Sequence, residues 1–144
     1  MKTVAQLLAL KTQQDVYTIA PDAWVLDALR LMAEKNVGAL PVMRDGELVG
    51  IVSERDYARK MILQGRSSVG TPVSAIMSTP VLTVDSLQSV DTCMNIMTNN
   101  RLRHLPVVEN GQLLGLLSIG DLVKEAIAEQ ADLIQQLEQY IRGE

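Results

Sequence analysis

Two short segments carry the residue types and the spacing from which a binding site could be built. Residues 50–56 and 115–121 both follow the pattern G-h-h-S-x-x-D, where h is an apolar residue. Ser53 and Ser118 each stand where an apolar run gives way to a helical pattern, and the unpaired N–H groups of a helix start attract phosphate. The Asp one turn later, Asp56 or Asp121, can accept both hydrogen bonds of a ribose diol.

The same pattern also has a purely structural explanation. S-x-x-D resembles a capping box, which stabilises the start of a helix without any ligand. Finding the pattern twice does not decide between the two explanations, because duplication copies a cap as faithfully as a site. Both interpretations stay open on these residues alone.

The two segments belong to a longer internal repeat. Residues 16–62 align with residues 81–127 at a constant offset of 65, and 13 of the 47 aligned pairs are identical, where unrelated sequences would share roughly three. Neither copy is large enough to fold comfortably alone, so the two should pack together. Gap-free duplicates usually associate about a pseudo-twofold axis, and the two similar clefts that this creates are the expected binding sites.

Each copy predicts the element order β-α-β-β-α, which places the fold in the α/β (α+β) class. A β-prone run at residues 16–19 precedes helical apolar spacing from Val25. Two apolar runs then flank the hairpin signals Asp45-Gly46 and Asn110-Gly111. We predict a first repeat over residues 1–66 with a short N-terminal helix, and a second over 67–144 with a linker helix and an extended C-terminal helix.

The predicted helix starts have identifiable caps. Ser53 and Ser118 open the last helix of their copies, and Ser89 should cap the middle helix of copy two. Copy one has Trp24 at that position, so Asp22 is expected to cap its middle helix instead. The linker helix, residues 73–77, is expected to begin with a proline at its first helical position.

The entries to the central hairpins differ between the copies. In copy one, Gly38 and Ala39 would let a flat ring approach the backbone closely. Copy two has three potential cations there that could hold a phosphate, Arg101, Arg103 and His104. Arg55 offers copy one its own cation. Solvated surface charges are the competing explanation for the arginines.

Composition narrows the functional classes. Apolar residues make up 47% with no Phe, and the net charge of −4 argues against a nucleic-acid partner. Cys93 is the single cysteine, which excludes an intrachain disulfide and fits a reducing compartment. No apolar run suits a signal peptide or a membrane span, so a cytoplasmic protein without a membrane partner is expected. With His104 the sole histidine and no nucleophile or metal motif, neither a catalytic residue nor a metal site is predicted.

At this point the sequence resembles the paired CBS domains, named after cystathionine β-synthase and also called a Bateman module. The resemblance rests on both G-h-h-S-x-x-D segments, both Leu-Pro-Val strands and the duplicated element order. It covers nearly the whole chain, and residues 53–60 look like those of small bacterial and organellar stand-alone CBS pairs. The resemblance implies a non-catalytic regulatory module that binds AMP, ADP, ATP, NAD or S-adenosylmethionine. A ligand-independent dimerisation or protein-interaction scaffold is the alternative.

The resemblance also implies roles for individual residues. Asp121 and Asp56 would hold ribose hydroxyls, and Ser118 and Ser53 would face phosphate. The cations beside the phosphate would be Arg103 and His104 in one cleft and Arg55 in the other. Adenine would lie against the first strand of the opposite copy, near Thr12, Val16 and Tyr17 in one cleft and near Ser78 and Leu82 in the other. Backbone would complete the sites at Val37, Gly38, Ala39 and Leu102.

The C-terminal helix suggests an assembly. It is expected to run from about Ile119 through Ile141, and at about 1.5 Å per residue it would extend beyond its own unit. Its apolar stripe consists of Leu122, Val123, Ala126, Ile127, Leu133, Ile134, Leu137 and Ile141. We predict a homodimer, with a helix folded back on its own chain as the alternative, and an unidentified effector protein as a further partner.

Overall fold

The described part of the chain contains two hairpins and five α-helices. A computed structural model describes residues 2–11 and 16–143. The first part contains α1 (Val4–Leu10), α2 (Val25–Lys35), β1 (Ala39–Arg44), β2 (Glu47–Ser53) and α3 (Glu54–Tyr57), which continues as a π-helix over Ala58–Ile62. A 3-10 turn at Val73–Ala75 leads to α4 (Val90–Asn100), β3 (His104–Glu109), β4 (Gln112–Ser118) and α5 (Ile119–Arg142). The predicted fold class is confirmed.

The hairpins are the repeated frame. β1 pairs antiparallel with β2, and β3 pairs antiparallel with β4 in the corresponding register. Asp45-Gly46 and Asn110-Gly111 all have positive φ angles, as the tight turn between such strands requires. The predicted first strand of each copy is much shorter than expected: it is reduced to a single parallel bridge, Ile19 to Val42 or Val84 to Val107.

The predicted serine caps are present, and two other helix starts differ. Ser89 accepts a hydrogen bond from the backbone N–H of Thr92. The first N–H groups of α2 are bound by linker carbonyls, at 2.9 Å from Val25 to Thr71 and 3.1 Å from Leu26 to Ser68, in place of the expected Asp22 cap. Pro72 is the cap of the 3-10 turn and not its first helical residue, because its ψ of 154° is extended.

Each hairpin is packed with a helical piece from elsewhere in the chain. Val4 and Leu7 of α1 are buried among core residues of the second repeat, including Leu105 and Leu122. Val73 and Ile76 of the linker are buried in the same way against the first repeat. The piece that precedes each repeat therefore packs on the other one, and the two repeats are tied into one unit.

The glycine that leads each G-h-h-S-x-x-D segment is explained by this packing. A Cβ at Gly50 would lie 2.5 Å from the Met77 sulfur and 3.0 Å from its Cγ. A Cβ at Gly115 would lie 2.8 Å from Cδ2 of Leu8. All three distances are shorter than van der Waals contact. The glycines, which have no Cβ, therefore let the helical pieces approach the hairpins closely.

We expect Gly50→Ala to lower the free energy of unfolding by about 1–3 kcal/mol, because the added methyl group overpacks the contact with Met77. Gly115→Ala should cost less, since its Cβ meets only the branch end of the Leu8 side chain. Urea unfolding of the two variants measures the difference. Adding Met77→Ala to Gly50→Ala should recover part of the loss, and equal costs at the two glycines would refute this packing explanation.

No helix in the described part of the chain is both long enough and apolar enough to cross a bilayer.

Candidate functional site

The second hairpin delivers its polar residues to one edge. His104 and Ser118 are directly paired in the register of β3 and β4, so the first residue of one strand and the last of the other share this edge. Ser118 is also the N-cap of α5, and the Ile119 N–H donates to the carbonyl of Arg103 at 2.8 Å. A strand end and the N-terminus of a 24-residue helix therefore meet at the same place.

A complete capping box stands at this helix start. The Asp121 N–H donates to Oγ of Ser118 at 3.2 Å, and the Ser118 N–H donates to Oδ2 of Asp121 at 2.8 Å. The structural explanation of S-x-x-D is thus correct for this segment. A ligand role for Asp121 would come in addition to the cap, because a carboxylate has more lone pairs than the cap uses.

Lys11 occupies the position beside this carboxylate. Its ammonium donates to Oδ2 of Asp121 at 2.9 Å and to the carbonyl of Leu116 at 2.8 Å. A second ion pair, from Lys2 to the buried Glu125 at 2.8 Å, fixes the same N-terminal segment to α5. Sequence reasoning missed Lys11, since it follows a short apolar run and belongs to no motif.

Lys11, His104 and Ser118 line a cleft of about 500 Å³ between the repeats, within the range of small-molecule sites. Asp121 does not line this cleft and adjoins it through its contacts with Lys11 and Ser118. One wall comes from the second hairpin and α1, and the opposite wall from the first repeat. Seven of the predicted site residues line it: Val16, Tyr17, Val37, Gly38, Ala39, His104 and Ser118. The lining residues that were not predicted are Leu8, Ala9, Lys11, Asn36, Leu114, Gly115 and Leu116.

Gly38 lies opposite His104 in the cleft. A Cβ at Gly38 would lie 3.7 Å from both Cε1 and Nε2 of the imidazole, which is ordinary contact. Anything longer than a methyl group would project into the space that the two residues share. The different residues at the two strand entries therefore make the cleft asymmetric.

In the first repeat, other groups of the chain contact both carboxylate oxygens of the equivalent Asp56. Oδ2 of Asp56 accepts from the N–H of Ser53 at 3.0 Å, and Oδ1 accepts from the Ser78 hydroxyl at 3.0 Å. The Lys60 ammonium lies 3.4 Å from Oδ1. Both carboxylate oxygens thus have partners without any ligand, which distinguishes Asp56 from Asp121.

The remaining predicted residues do not line the cleft beside Ser118 within the described residues. Thr12 is outside the described residues. Arg55 and Arg103 are exposed, and Leu82 is 46% exposed without lining the cleft beside Ser118. Leu102 packs against the second-repeat core.

Two groups of the cleft have shifted pKa values. Burial lowers the pKa of His104, and the nearby Lys11 and Arg103 lower it further against the opposing effect of Asp121. Burial raises the pKa of Asp121, but hydrogen bonds from Ser118 and Lys11 outweigh burial and leave it below its ordinary value. Near pH 7 the His104 imidazole in the cleft is therefore neutral, and the adjoining Asp121 carboxylate is ionised.

Other reactive groups do not form a site. Cys93 is buried, and burial raises the pKa of its thiol, as for a small core residue. Within residues 2–11 and 16–143, no three His, Cys, Asp or Glu side chains are grouped so as to hold a metal ion.

Comparison with known proteins gives consistent matches. The family model for the CBS domain matches residues 5–63 and 73–128. The mitochondrial CBS domain-containing protein CBSX3 of Arabidopsis thaliana is 44% identical over 127 residues, which cover 85% of this chain and 62% of the relative. The chain therefore spans less than two thirds of that protein.

Two further relatives match over most of their length. The CBS domain-containing protein YhcV of Bacillus subtilis is 34% identical, with 81% of this chain and 82% of YhcV covered. A solved CBS-domain protein of Burkholderia ambifaria is 52% identical, covers 90% of this chain and 96% of its own, and superposes with a TM-score of 0.86.

Proposed function

Because this chain belongs to the CBS-domain family and carries two CBS domains, we propose that it is a non-catalytic regulatory module that binds an adenine nucleotide in the cleft beside Ser118. CBS-domain pairs bind adenosine ligands as regulatory modules. The proposed ligands are AMP, ADP, ATP or NAD, with S-adenosylmethionine as a further candidate. The observation that carries the proposal is the difference between the two aspartates. Within the described residues, Asp121 contacts Lys11 and Ser118 of the cleft lining through Oδ2 alone, whereas both oxygens of Asp56 are bound, by Ser53, Ser78 and Lys60.

The lining chemistry fits the three parts of such a ligand. Adenine would lie between Val16 and Tyr17 on one side and Val37 to Ala39 on the other, where Gly38 leaves room for a flat ring. The ribose diol would reach Asp121. Phosphate would lie at the α5 N-terminus, near Ser118 and His104, where helix N–H groups and their dipole favour anions.

Lys11 gives this site an internal counter-ion. Its ammonium neutralises Asp121 when the cleft holds no ligand. A ribose diol would compete with it for Oδ2, and the released ammonium, on a flexible side chain, could pair with the ligand phosphate. Ligand binding would then shift the N-terminal segment relative to α5, and a homodimer and its effector protein could detect that movement.

Thermal unfolding tests the proposal. AMP, ADP, ATP, NAD or S-adenosylmethionine at millimolar concentration should raise the melting temperature by several degrees, because a ligand at 100 times its Kd stabilises by about 2.7 kcal/mol. GMP and inorganic phosphate are matched controls. Unchanged melting with all five ligands would overturn nucleotide binding.

We expect NAD affinity to increase several-fold as the pH falls from about 8 to 6. Burial lowers the pKa of His104, so the imidazole is neutral at pH 8. A bound phosphate would favour the imidazolium, so binding takes up a proton and strengthens at lower pH. The NAD phosphates do not titrate in this range. The charged groups that act on the ring are Lys11, Asp121 and Arg103.

Calorimetric titrations at several pH values measure how NAD affinity changes with pH. His104→Gln is the matched control, because the NAD affinity of this variant should not change with pH. A slope that persists in His104→Gln would contradict the role of His104.

The scaffold alternative has one observation in its favour. Both capping boxes are complete without a ligand, so neither helix start needs one to be stable. A scaffold would keep the same oligomeric state and melting temperature in the presence of every nucleotide. The thermal unfolding experiment therefore distinguishes a scaffold from a ligand sensor.

A further inference from the structure

The second half of α5 is exposed along its whole length within the described residues. Leu122 and Glu125 are buried against the second repeat, whereas every residue from 131 to 143 is exposed. Several of these exposed residues are large and apolar, and Ile127 and Ile141 are 62% and 81% exposed. An exposed stripe of this length is typical of an interaction surface.

The stripe has the spacing of a coiled coil. Ile127, Ile134 and Ile141 are seven residues apart, and so are Val123, Gln130 and Leu137. The two series alternate at intervals of four and three residues, as the a and d positions of heptads do. Its single polar member, Gln130, fits the use of one buried polar residue to specify register.

The flanking residues indicate which partner the stripe fits. One flank carries Lys124, Ala131 and Glu138, again seven residues apart. An antiparallel copy of α5 centred near Ala131 places Lys124 opposite the partner subunit's Glu138, and Glu138 opposite the partner subunit's Lys124. In a parallel pair this flank of one helix would lie against the opposite flank of the other helix. Neither Lys124 nor Glu138 would then lie opposite a residue of complementary charge.

The other flank is complementary in size under the same antiparallel arrangement. It carries Ala126, Leu133 and Tyr140. The small Ala126 faces the partner subunit's large Tyr140, and Leu133 meets its own copy at the centre. Both flanks thus complement themselves about one twofold axis, as an isologous interface requires.

The charge of α5 disfavours a membrane surface as the partner. The helix has five acidic residues against Lys124 and Arg142. Helices that lie on anionic lipid carry Lys and Arg on their polar face instead.

We propose that two copies of this chain pair through α5 as an antiparallel two-stranded coiled coil, with Lys124 and Glu138 paired across the twofold axis. The inference rests on the proposed homodimer and adds its surface and direction. The antiparallel helix pair would hold the two modules at its opposite ends. Nucleotide binding does not depend on this pairing, so the pairing and the nucleotide site can each be refuted without the other.

Cysteine cross-linking tests the direction. In a Cys93→Ala background, Ile127→Cys and Leu137→Cys proteins are prepared separately and then mixed. Antiparallel pairing places residue 127 of one chain against 137 of the other, so the mixture should form a disulfide-linked dimer under mild oxidation. Either variant alone should stay uncross-linked, because equal positions are then offset by ten residues, about 15 Å.

Cross-linking of the single variants would indicate a parallel pair and overturn the proposal. A dimer in solution with no cross-link in the mixture would also overturn it, while leaving a homodimer through another surface. A monomer under all conditions would refute both, and vesicles of anionic lipid that capture the chain would point to a membrane partner instead.

A charge exchange provides a second, independent measurement. Lys124→Glu should weaken the dimer roughly tenfold in sedimentation equilibrium, since two attractive pairs become repulsive. Combining it with Glu138→Lys should restore the affinity, because the pairs are then re-formed with reversed sign. Failure of the double variant to recover would contradict the antiparallel register.

Discussion

Asp121→Asn is expected to weaken nucleotide binding by about 10- to 100-fold and to lower the stability of the protein only modestly, through loss of the ion pair with Lys11. The carboxylate is the group that would accept the ribose diol, and a charged acceptor contributes about 1.5–3 kcal/mol through such hydrogen bonds. Asparagine keeps an oxygen that can still accept the Ser118 N–H, so the cap at the α5 start should survive. Calorimetric titration with AMP and a urea unfolding curve measure the two quantities.

The matched control is Asp56→Asn in the first repeat. Asp56 occupies the equivalent position with the same capping geometry. Its oxygens are already bound by Ser78 and Lys60, so the substitution should leave AMP affinity unchanged. Equal losses at the two positions would show that both clefts bind, and no loss at Asp121 would remove it from the ribose site.

Gly38→Leu is expected to weaken AMP affinity by at least about tenfold, so that binding is no longer detected. The longer side chain would extend from the cleft wall toward the His104 imidazole and fill the space proposed for adenine. The backbone at Gly38 does not have a positive φ, so another residue can adopt it without strain.

Gly38→Ala is the control for this substitution. Its Cβ would lie 3.7 Å from the imidazole, in ordinary contact, so binding should be retained within a few-fold. A Gly38→Leu protein that binds AMP normally while keeping its melting temperature would exclude adenine from this part of the cleft.

Much of the fold follows from local sequence signals. Ser89, Ser118 and the Asn110-Gly111 turn act over a few residues, and the structure has each of them where the pattern predicts it. The first strands were overestimated, because a β-prone run does not reveal how many of its residues find a hydrogen-bonding neighbour. Residues near Ile19 make only one bridge.

The site was harder to predict, because its character depends on contacts between distant residues. Ser53-x-x-Asp56 and Ser118-x-x-Asp121 are equivalent as patterns, yet Ser78 closes one of them, and Lys11 stands beside the other. Lys11 and Asp121 are separated by 110 positions in the chain. Only the packing of α1 on the second repeat brings them together, and no local pattern reports that contact.

The stoichiometry of nucleotide binding tests the central claim most directly. Wild-type protein is titrated in a calorimeter with AMP, ADP, ATP, NAD and S-adenosylmethionine in turn, with GMP as the control. Nucleotide binding confined to the cleft beside Ser118 predicts that at least one of the five saturates at one equivalent per chain and that GMP does not compete with it. Two equal equivalents per chain, or no saturable binding of any of the five at millimolar concentration, would contradict the claim.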